Sequence, residues 1–481
     1  MSSGFQRSFR LQPEEKIDMA ENKVSRRKLL KRGMAAGGAA LAATRLTPGA
    51  QAAQGAPAVI TGRRFRAWIS RGEGPKGTTL QDVTLKPIGG RQVVVRTEAS
   101  NLCYSNVPPV LGIQPPAAAP ASTLAAPSGM RRMNDMAVMQ GHGGIGIVEA
   151  VGPEVRRVQV GDRVCVSGTP QCGNCYRCLR GRSDMCQFLS AIGADDLAAV
   201  AEMRDGTPVY ANSHIGGLAE LMVTYEEWVV PIFTKASSAD VGMACSCVAV
   251  AGLGATVSPG LAMVEPASIV AVLGCGPLGL SAVQGARIAG ATRIIAIDPI
   301  RARRELALKV GATDVLDPNV ERDKLVDRVR AMATWPTDRL WSGGRNPAGR
   351  RPGAGADFVI EAVGLDHVPP KLEAGPDPTG ILPMQQGYQM CALGGHYITT
   401  GLPRGSITLP GSLFAIGGVT HHGGQAGGCS PMRDIPRFVE LMEKGLFQAK
   451  PLATTIVPLD GVLDAYEQVA YRTTVTALLV T

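Results

Sequence analysis

Four of the eleven cysteines fall within one short segment, where their spacing is Cys-x2-Cys-x2-Cys-x7-Cys. Two-residue spacers let a turning backbone aim neighbouring sulfur atoms at one point, so four thiolates can close a tetrahedron around Zn²⁺. Disulfide bonds and an iron–sulfur cluster are the alternatives. The short spacing, with no Cys-Pro after it, favours a structural zinc site, because four protein ligands leave no open position. The predicted ligands are Cys172, Cys175, Cys178 and Cys186.

A glycine-rich segment, Gly274-Cys275-Gly276-Pro277-Leu278-Gly279, matches the pattern G-x-G-x-x-G. It lies between a strand-like run and a helix-like run, and Asp298 follows its last glycine by 19 residues. The glycines allow a tight turn and close approach of a pyrophosphate, whose charge a helix N-terminus favours. Asp298 would hydrogen-bond the adenosine ribose and repel a 2′-phosphate, which favours NAD over NADP. A glycine turn in an α/β fold without a cofactor is the alternative.

The runs around these motifs predict two kinds of structure. Ser268–Leu273, Leu278–Ala289 and Arg293–Ile297 predict strand, helix and strand, a βαβ unit that implies a parallel sheet. Elsewhere short strands are predicted within residues 60–105 and at 146–151, 163–166 and 357–361. Irregular structure is predicted for the Pro/Ala-rich residues 107–128, for the Gly/Pro/Arg-rich residues 334–356 and for a Gly-rich turn with His421 and His422.

The first 52 residues differ from the rest of the chain in charge. They hold ten of the 49 Lys and Arg but four of the 40 Asp and Glu, so they carry +6 of the net +9. The remainder is nearly balanced, with 45% hydrophobic and 19% charged residues overall, which indicates a globular protein and argues against nucleic acid as a partner.

This leader has the parts of a bacterial export signal. Paired arginines in Ser25–Lys31 precede a mild apolar run, Met34–Ala43, and small residues follow at Ala50–Ala53. The twin arginine predicts export through the Tat translocase to the periplasm or the outside of the cell. The apolar run is too short for stable membrane insertion. A disordered basic tail is the alternative.

Together these motifs resemble the zinc-containing alcohol dehydrogenases of the medium-chain dehydrogenase/reductase superfamily. The resemblance covers most of residues 60–481 and also rests on Glu98–Ser105, Gly141–Glu149, Gly161–Val164 and Ala356–Gly364. It implies an α/β protein with a GroES-like, mainly β catalytic domain and a Rossmann domain with a doubly wound parallel sheet. The implied division is 1–52 signal peptide, 60–248 catalytic domain with the zinc lobe, 249–425 NAD-binding domain and 426–481 return to the catalytic domain.

Residue by residue, the resemblance makes Cys103, His142 and Cys247 the ligands of a second, catalytic zinc, so that each chain would hold two. Two thiolates and one imidazole leave the fourth position open, as a catalytic zinc requires. Cys245, two residues from Cys247, competes for the third place. Ser105 matches the hydroxyl that takes the alcohol proton.

Several positions depart from the pattern of this family. Gly143 stands where glutamate is usual, Asn106 where an aspartate supports the ligand histidine, and Pro108 where some members have a relay histidine. Tyr104 and Thr476 stand where cations contact the pyrophosphate of NAD. Fewer cations imply a weaker electrostatic hold on NAD, unless Arg303 or the amides of the glycine loop compensate.

The sequence therefore predicts an exported, zinc- and NAD-dependent oxidoreductase acting on a small alcohol or, in reverse, an aldehyde. A homo-oligomer, dimer or tetramer, is expected. The alternatives are a zinc-stabilised binding protein that has lost catalysis, a zinc-free reductase of the same superfamily, and a dehydrogenase that keeps NAD permanently bound.

Overall fold

The computed structural model describes residues 61–71, 77–113, 136–188, 198–333 and 355–481. The predicted leader, most of the Pro/Ala-rich stretch and nearly all of residues 334–356 lie outside the described residues. The strands are β1 Arg64–Ser70, β2 Thr79–Leu85, β3 Gln92–Asn101, β4 Ala137–Met139, β5 Gly144–Val151, β6 Arg163–Val166, β7 Ala201–Met203, β8 Pro208–Ala211, β9 Leu221–Tyr225, β10 Val229–Pro231, β11 Ile269–Leu273, β12 Arg293–Ile297, β13 Asp314–Leu316, β14 Ala356–Glu361, β15 Cys391–Thr399, β16 Thr420–Gly423, β17 Thr455–Val457 and β18 Ala477–Val480.

The helices connect these strands and cover the sheets. They are α1 Val107–Leu111, α2 Tyr176–Leu179, α3 Ser238–Ala244, α4 Cys247–Val257, α5 Pro277–Ile288, α6 Arg301–Val310, α7 Pro318–Glu321, α8 Leu325–Met332, α9 Ile381–Met390, α10 Gly411–Ile416, α11 Pro431–Glu443 and α12 Val462–Ala470. Among the described residues no single helix has the length and hydropathy to cross a membrane, although α3 and α4 together, bent by 50°, pass that test as a pair.

The first half of the described chain is mainly β. Strands β1, β2, β7, β8 and β4 close a barrel, and beside it runs a sheet in the order β10-β6-β5-β3-β18-β17, with β9 also paired to β3. Side chains alternate along β3 because successive residues of a strand point to opposite faces. Val94 therefore packs into the barrel core while Val93 and Val95 pack into a second apolar cluster.

The second half builds a parallel sheet of six strands in the order β13-β12-β11-β14-β15-β16. Strand β11, Ile-Val-Ala-Val-Leu, is buried along its whole length, as a central parallel strand covered on both faces must be. The strand order reverses between β11 and β14, and such a switch point leaves a crevice at the carboxyl ends of the strands. The prediction of a GroES-like domain joined to a Rossmann domain is confirmed.

The chain returns to the first sheet after the Rossmann strands. Strand β18 pairs antiparallel with β3, with Leu478 opposite Asn101, and α12 packs in an apolar cluster with α1. This return brings the residues after α12 next to the strand that leads to Cys103.

Two stretches predicted as irregular are regular in part. The Pro/Ala-rich stretch begins with helix α1, because Pro108 and Pro109 lie in its first turn, where a proline breaks no hydrogen bond, and its apolar side chains are buried. The predicted turn at His421 and His422 is wrong as well. Both histidines lie in β16, which pairs with β15.

Candidate active site and metal centres

Three side chains from separate parts of the chain meet in one place. Cys103 follows the end of β3, His142 lies between β4 and β5, and Cys247 is the first residue of α4. Their ligand atoms all lie within 4.8 Å of one another. Cys245 does not join them. It is buried against β6, where its carbonyl accepts from the Cys165 thiol at 3.8 Å.

Hydrogen bonds set the orientation of the histidine and of one cysteine. His142 Nδ1 contacts Asn106 Oδ1, so it carries the proton, and its Nε2 faces Cys247 Sγ at 3.2 Å. The Asn101 amide donates to Cys247 Sγ and accepts from the Cys247 backbone N–H, both at 3.4 Å. Such outer contacts fix a ligand's direction before a metal arrives.

The two cysteines of this site influence each other's ionisation. The hydrogen bond with Cys247, aided by the charge of His142, lowers the pKa of Cys103 well below the usual thiol range despite burial. The same hydrogen bond raises the pKa of Cys247, because one thiolate disfavours a second beside it. Two thiolates and an imidazole around one point thus fit a divalent cation, which removes that repulsion, and they leave a fourth position open.

The four clustered cysteines also converge. Their sulfur atoms lie within 4.8 Å of one another, and the Cys172 and Cys178 sulfurs are 4.0 Å apart. Zn–S bonds of about 2.3 Å in a tetrahedron place sulfurs about 3.8 Å apart, so the cluster fits one zinc ion rather than paired disulfides. The Cys178 and Gln187 N–H groups donate to Cys175 Sγ and, against the effect of burial, lower the pKa of Cys175 to about 6.

The glycine loop leads from β11 into α5. Gly274 has φ +88°, and a side chain there would meet the Ala362 carbonyl at 2.9 Å. A side chain at Gly279 would lie 1.7 Å from the Gly274 carbonyl. Gly276 is the N-cap of α5 with no side-chain cap, and Pro277 follows in the first turn. The first N–H groups of α5 are therefore available to an anion.

Asp298 directly follows β12 and is buried below this loop. Its carboxylate accepts from the Cys275 N–H at 2.7 Å and the Ile300 N–H at 2.8 Å. Each carboxylate oxygen keeps a further acceptor site, so ribose hydroxyls can still bind. Arg303 lies in the first turn of α6, and burial lowers its pKa while the charge of Asp298 opposes that effect.

One cleft of about 410 Å³ joins the two sets of residues. Its lining comes from Cys103 of the metal centre and its neighbours, the glycine loop, the residues after β14 and the segment after α12. Among the lining residues are Cys103, Tyr104, Ser105, Gly274, Gly276, Pro277, Leu278, Asp298, Arg303, Gly364, Asp366, His367, Asp377, Arg472 and Thr476. The cleft therefore connects the zinc-type site to the dinucleotide-type site.

Sequence reasoning missed two buried residues that hold parts of the site in place. Asn101, which holds Cys247, is a buried polar residue two positions before a ligand cysteine. Glu361 is buried at the end of β14, where its Oε1 accepts from the Val363 N–H at 2.7 Å and braces the cleft wall. Burial raises the pKa of Glu361. Asn101 and Glu361 each stand at the end of an apolar strand, and a polar or charged residue at such a position is the sequence signal that could have identified them.

The comparisons with known proteins agree with this geometry. Residues 89–234 match the family profile of the alcohol dehydrogenase GroES-like domain, and residues 277–444 match that of zinc-binding dehydrogenases. The S-(hydroxymethyl)glutathione dehydrogenase of Haemophilus influenzae is 28% identical over 78% of this chain and 86% of its own length. A class-3 alcohol dehydrogenase of Cereibacter sphaeroides is 25% identical over 82% and 94%.

Solved structures agree as well. An alcohol dehydrogenase zinc-binding domain protein from Burkholderia ambifaria superposes with a TM-score of 0.69 at 25% identity, over 87% of this chain and 99% of that one. The profiles, the relatives and the two converging ligand sets lead to one conclusion. The chain belongs to the zinc-containing alcohol dehydrogenase family of the medium-chain dehydrogenase/reductase superfamily.

Proposed function

We propose that this protein transfers a hydride between a primary or secondary alcohol, or an aldehyde in reverse, and NAD. The observation that supports this most directly is the single cleft lined by Cys103 and Ser105 at one end and by the glycine loop and Asp298 at the other. A substrate oxygen beside Cys103 would lie in the same cleft as a dinucleotide on the glycine loop. The test is oxidation of a panel of alcohols by zinc-replete protein, followed by nicotinamide absorbance. Inactivity towards the whole panel would contradict the proposal.

Each group of site residues would have a distinct role in this reaction. Zinc held by Cys103, His142 and Cys247 would supply a Lewis acid that polarises the substrate oxygen, and NAD would accept the hydride. Ser105 takes the alcohol proton, since its hydroxyl is exposed in the cleft and lies 3.2 Å from Cys103 Sγ. Pro108 stands where a relay histidine would be, so Ser105 passes this proton to water in the cleft.

Asp298 is the residue that favours NAD over NADP in this proposal. The change Asp298→Asn keeps the size of the side chain and one of the two oxygens that accept backbone N–H groups, but removes the charge that repels a 2′-phosphate and binds the ribose. A hydrogen bond to a charged group contributes about 1.5–3 kcal/mol, so the ratio of kcat/KM for NAD to that for NADP should fall about 10- to 100-fold.

Asp357→Asn is the matched control, because Asp357 also accepts a backbone N–H, that of Ile269, at 2.8 Å, but lies at the start of β14, away from the cleft. An unchanged ratio in Asp298→Asn would remove Asp298 from cofactor selection.

We further propose that the leader directs export through the Tat translocase. The double change Arg26→Lys and Arg27→Lys keeps the charge of the leader but removes the paired arginines that this route recognises. The protein should then remain in the cytoplasmic fraction of the producing bacterium. Equal export of both forms would contradict this route.

The protein is also proposed to self-associate. Strand β16 ends the six-stranded sheet, and the side chains of Phe414 and Ile416, 68% and 83% exposed, lie in α10 just before it. Paired edges of two copies would cover them. Light scattering that gives the mass of a single chain would contradict this.

A further inference from the structure

An arginine after helix α12 occupies a position that usually belongs to glycine. Arg472 has φ +60°, the left-handed region. Its N–H bonds the Val469 carbonyl at 3.2 Å, and the next N–H, that of Thr473, bonds the Gln468 carbonyl at 3.0 Å. These two bonds form the turn that closes many helices, in which glycine is preferred because a Cβ is strained there. Strained backbone positions of this kind cluster at functional sites, so the contacts of the Arg472 side chain indicate its role.

The Arg472 side chain lies in the cleft and is held from two sides. Its guanidinium pairs with Asp366 and lies over the ring of Tyr104, 5.3 Å from the ring centre. The Arg472 and Asp366 side chains are only 14% and 10% exposed. Tyr104 is itself fixed, because it stacks on His367 with ring centres 5.1 Å apart and its hydroxyl accepts from the His367 N–H at 2.9 Å.

Cationic and N–H groups gather at the glycine-loop end of the cleft. Arg303 and Arg472 both line it, and the charge of Arg472 is close enough to lower the pKa of Arg303, although burial is the larger cause. The Arg303 guanidinium lies 3.8 Å from the position that a side chain on Gly276 would occupy. The uncapped N-terminus of α5 opens onto the same space. Three aspartates also line the cleft, so an anion would be held by directed contacts with guanidinium and helix N–H groups rather than by an excess of positive charge.

We propose that Arg472 is the main cationic contact of the cofactor's pyrophosphate, which moves this role away from positions 104 and 476. Tyr104 then serves as the flat surface that holds the guanidinium, and Asp366 keeps it in the cleft when no anion is bound. Thr476, which also lines the cleft, carries no charge. The proposal rests on the proposed use of NAD.

The test is calorimetric binding of NAD, ADP-ribose and adenosine to Arg472→Gly, with thermal unfolding of the same protein. A charge-assisted, two-point contact of guanidinium with phosphate corresponds to about tenfold or more in affinity. NAD and ADP-ribose should therefore bind at least tenfold more weakly and with less dependence on salt, whereas adenosine, which has no phosphate, should bind as before. The melting temperature should fall only moderately, because glycine relieves the strain at φ +60° but the change also breaks the largely buried ion pair with Asp366; unchanged adenosine binding then shows that the cleft is intact. Arg472→Lys should recover part of the affinity.

Arg322→Gly is the matched control. Arg322 is also left-handed, with φ +49°, but its side chain contacts the Asn319 carbonyl outside the cleft. It should gain stability without any change in binding. Equal losses for NAD and adenosine, or unchanged NAD affinity in Arg472→Gly, would overturn the role of Arg472 alone. A wild-type protein that binds neither NAD nor ADP-ribose would overturn the proposed function as well.

Discussion

Replacing Cys247 with alanine should reduce alcohol oxidation at least about 1,000-fold and leave one zinc ion per chain. The change removes one of three ligands that meet within 4.8 Å, so the remaining pair no longer holds the metal. Lewis-acid stabilisation of developing charge contributes several kcal/mol, and each 1.36 kcal/mol changes the rate tenfold. Steady-state kinetics together with metal analysis measure both effects.

Cys245→Ala is the control that the chain itself offers. This cysteine lies two residues before Cys247, between α3 and α4, but its side chain is buried against Cys165 rather than in the metal centre. Two zinc ions and near-normal activity are expected. If Cys245→Ala lost the zinc and Cys247→Ala kept it, the ligand set would be wrong. Full activity in both variants would make the centre dispensable.

Removal of the other zinc should act on stability rather than directly on chemistry. Cys175 accepts two backbone N–H groups and shares its cluster with three more sulfurs, so Cys175→Ala removes one of the four ligands that link this short lobe together. Structural zinc sites hold otherwise unfolded segments together. We expect a loss of about 3 kcal/mol, which lowers the melting temperature by about 6–12 °C for a domain of this size.

The zinc lobe is followed by an aromatic cluster, so loss of zinc should also disturb the packing of that cluster. Phe188 follows the last cysteine and packs edge-on against Trp228, with ring centres 5.7 Å apart. Loss of the lobe should therefore change the fluorescence of Trp228 at temperatures below global unfolding. Cys391→Ala, a buried cysteine of the Rossmann sheet outside both clusters, is the control and should keep both zinc ions. Unchanged melting and fluorescence in Cys175→Ala would contradict a structural role.

The sequence predicted those parts of the site that are encoded locally. The four clustered cysteines and the glycine loop each lie within one short segment, so spacing alone indicates their chemistry. The Cys103, His142 and Cys247 centre required the family resemblance, because three distant segments contribute to it. Asn101 and Arg472 could not be assigned, since their partners Cys247 and Asp366 are brought to them only by tertiary packing. The histidines of β16 were misjudged for the same reason, because a four-residue edge strand is stabilised by its neighbour β15.

The pairing of β18 with β3 determines the order in which the molecule can fold. Leu478 must reach Asn101 across nearly the whole described chain, whereas the parallel sheet is encoded between Ile269 and Gly423. Contacts between distant residues form late, because closing a long loop loses conformational entropy before the contact contributes any stabilising free energy. On the ribosome, the Rossmann sheet can therefore be complete while the end of β3 that leads to Cys103, residues Ala99–Asn101, still lacks its β18 neighbour. The strand next to the three-ligand centre is then among the last parts of the described chain to gain its full set of sheet partners.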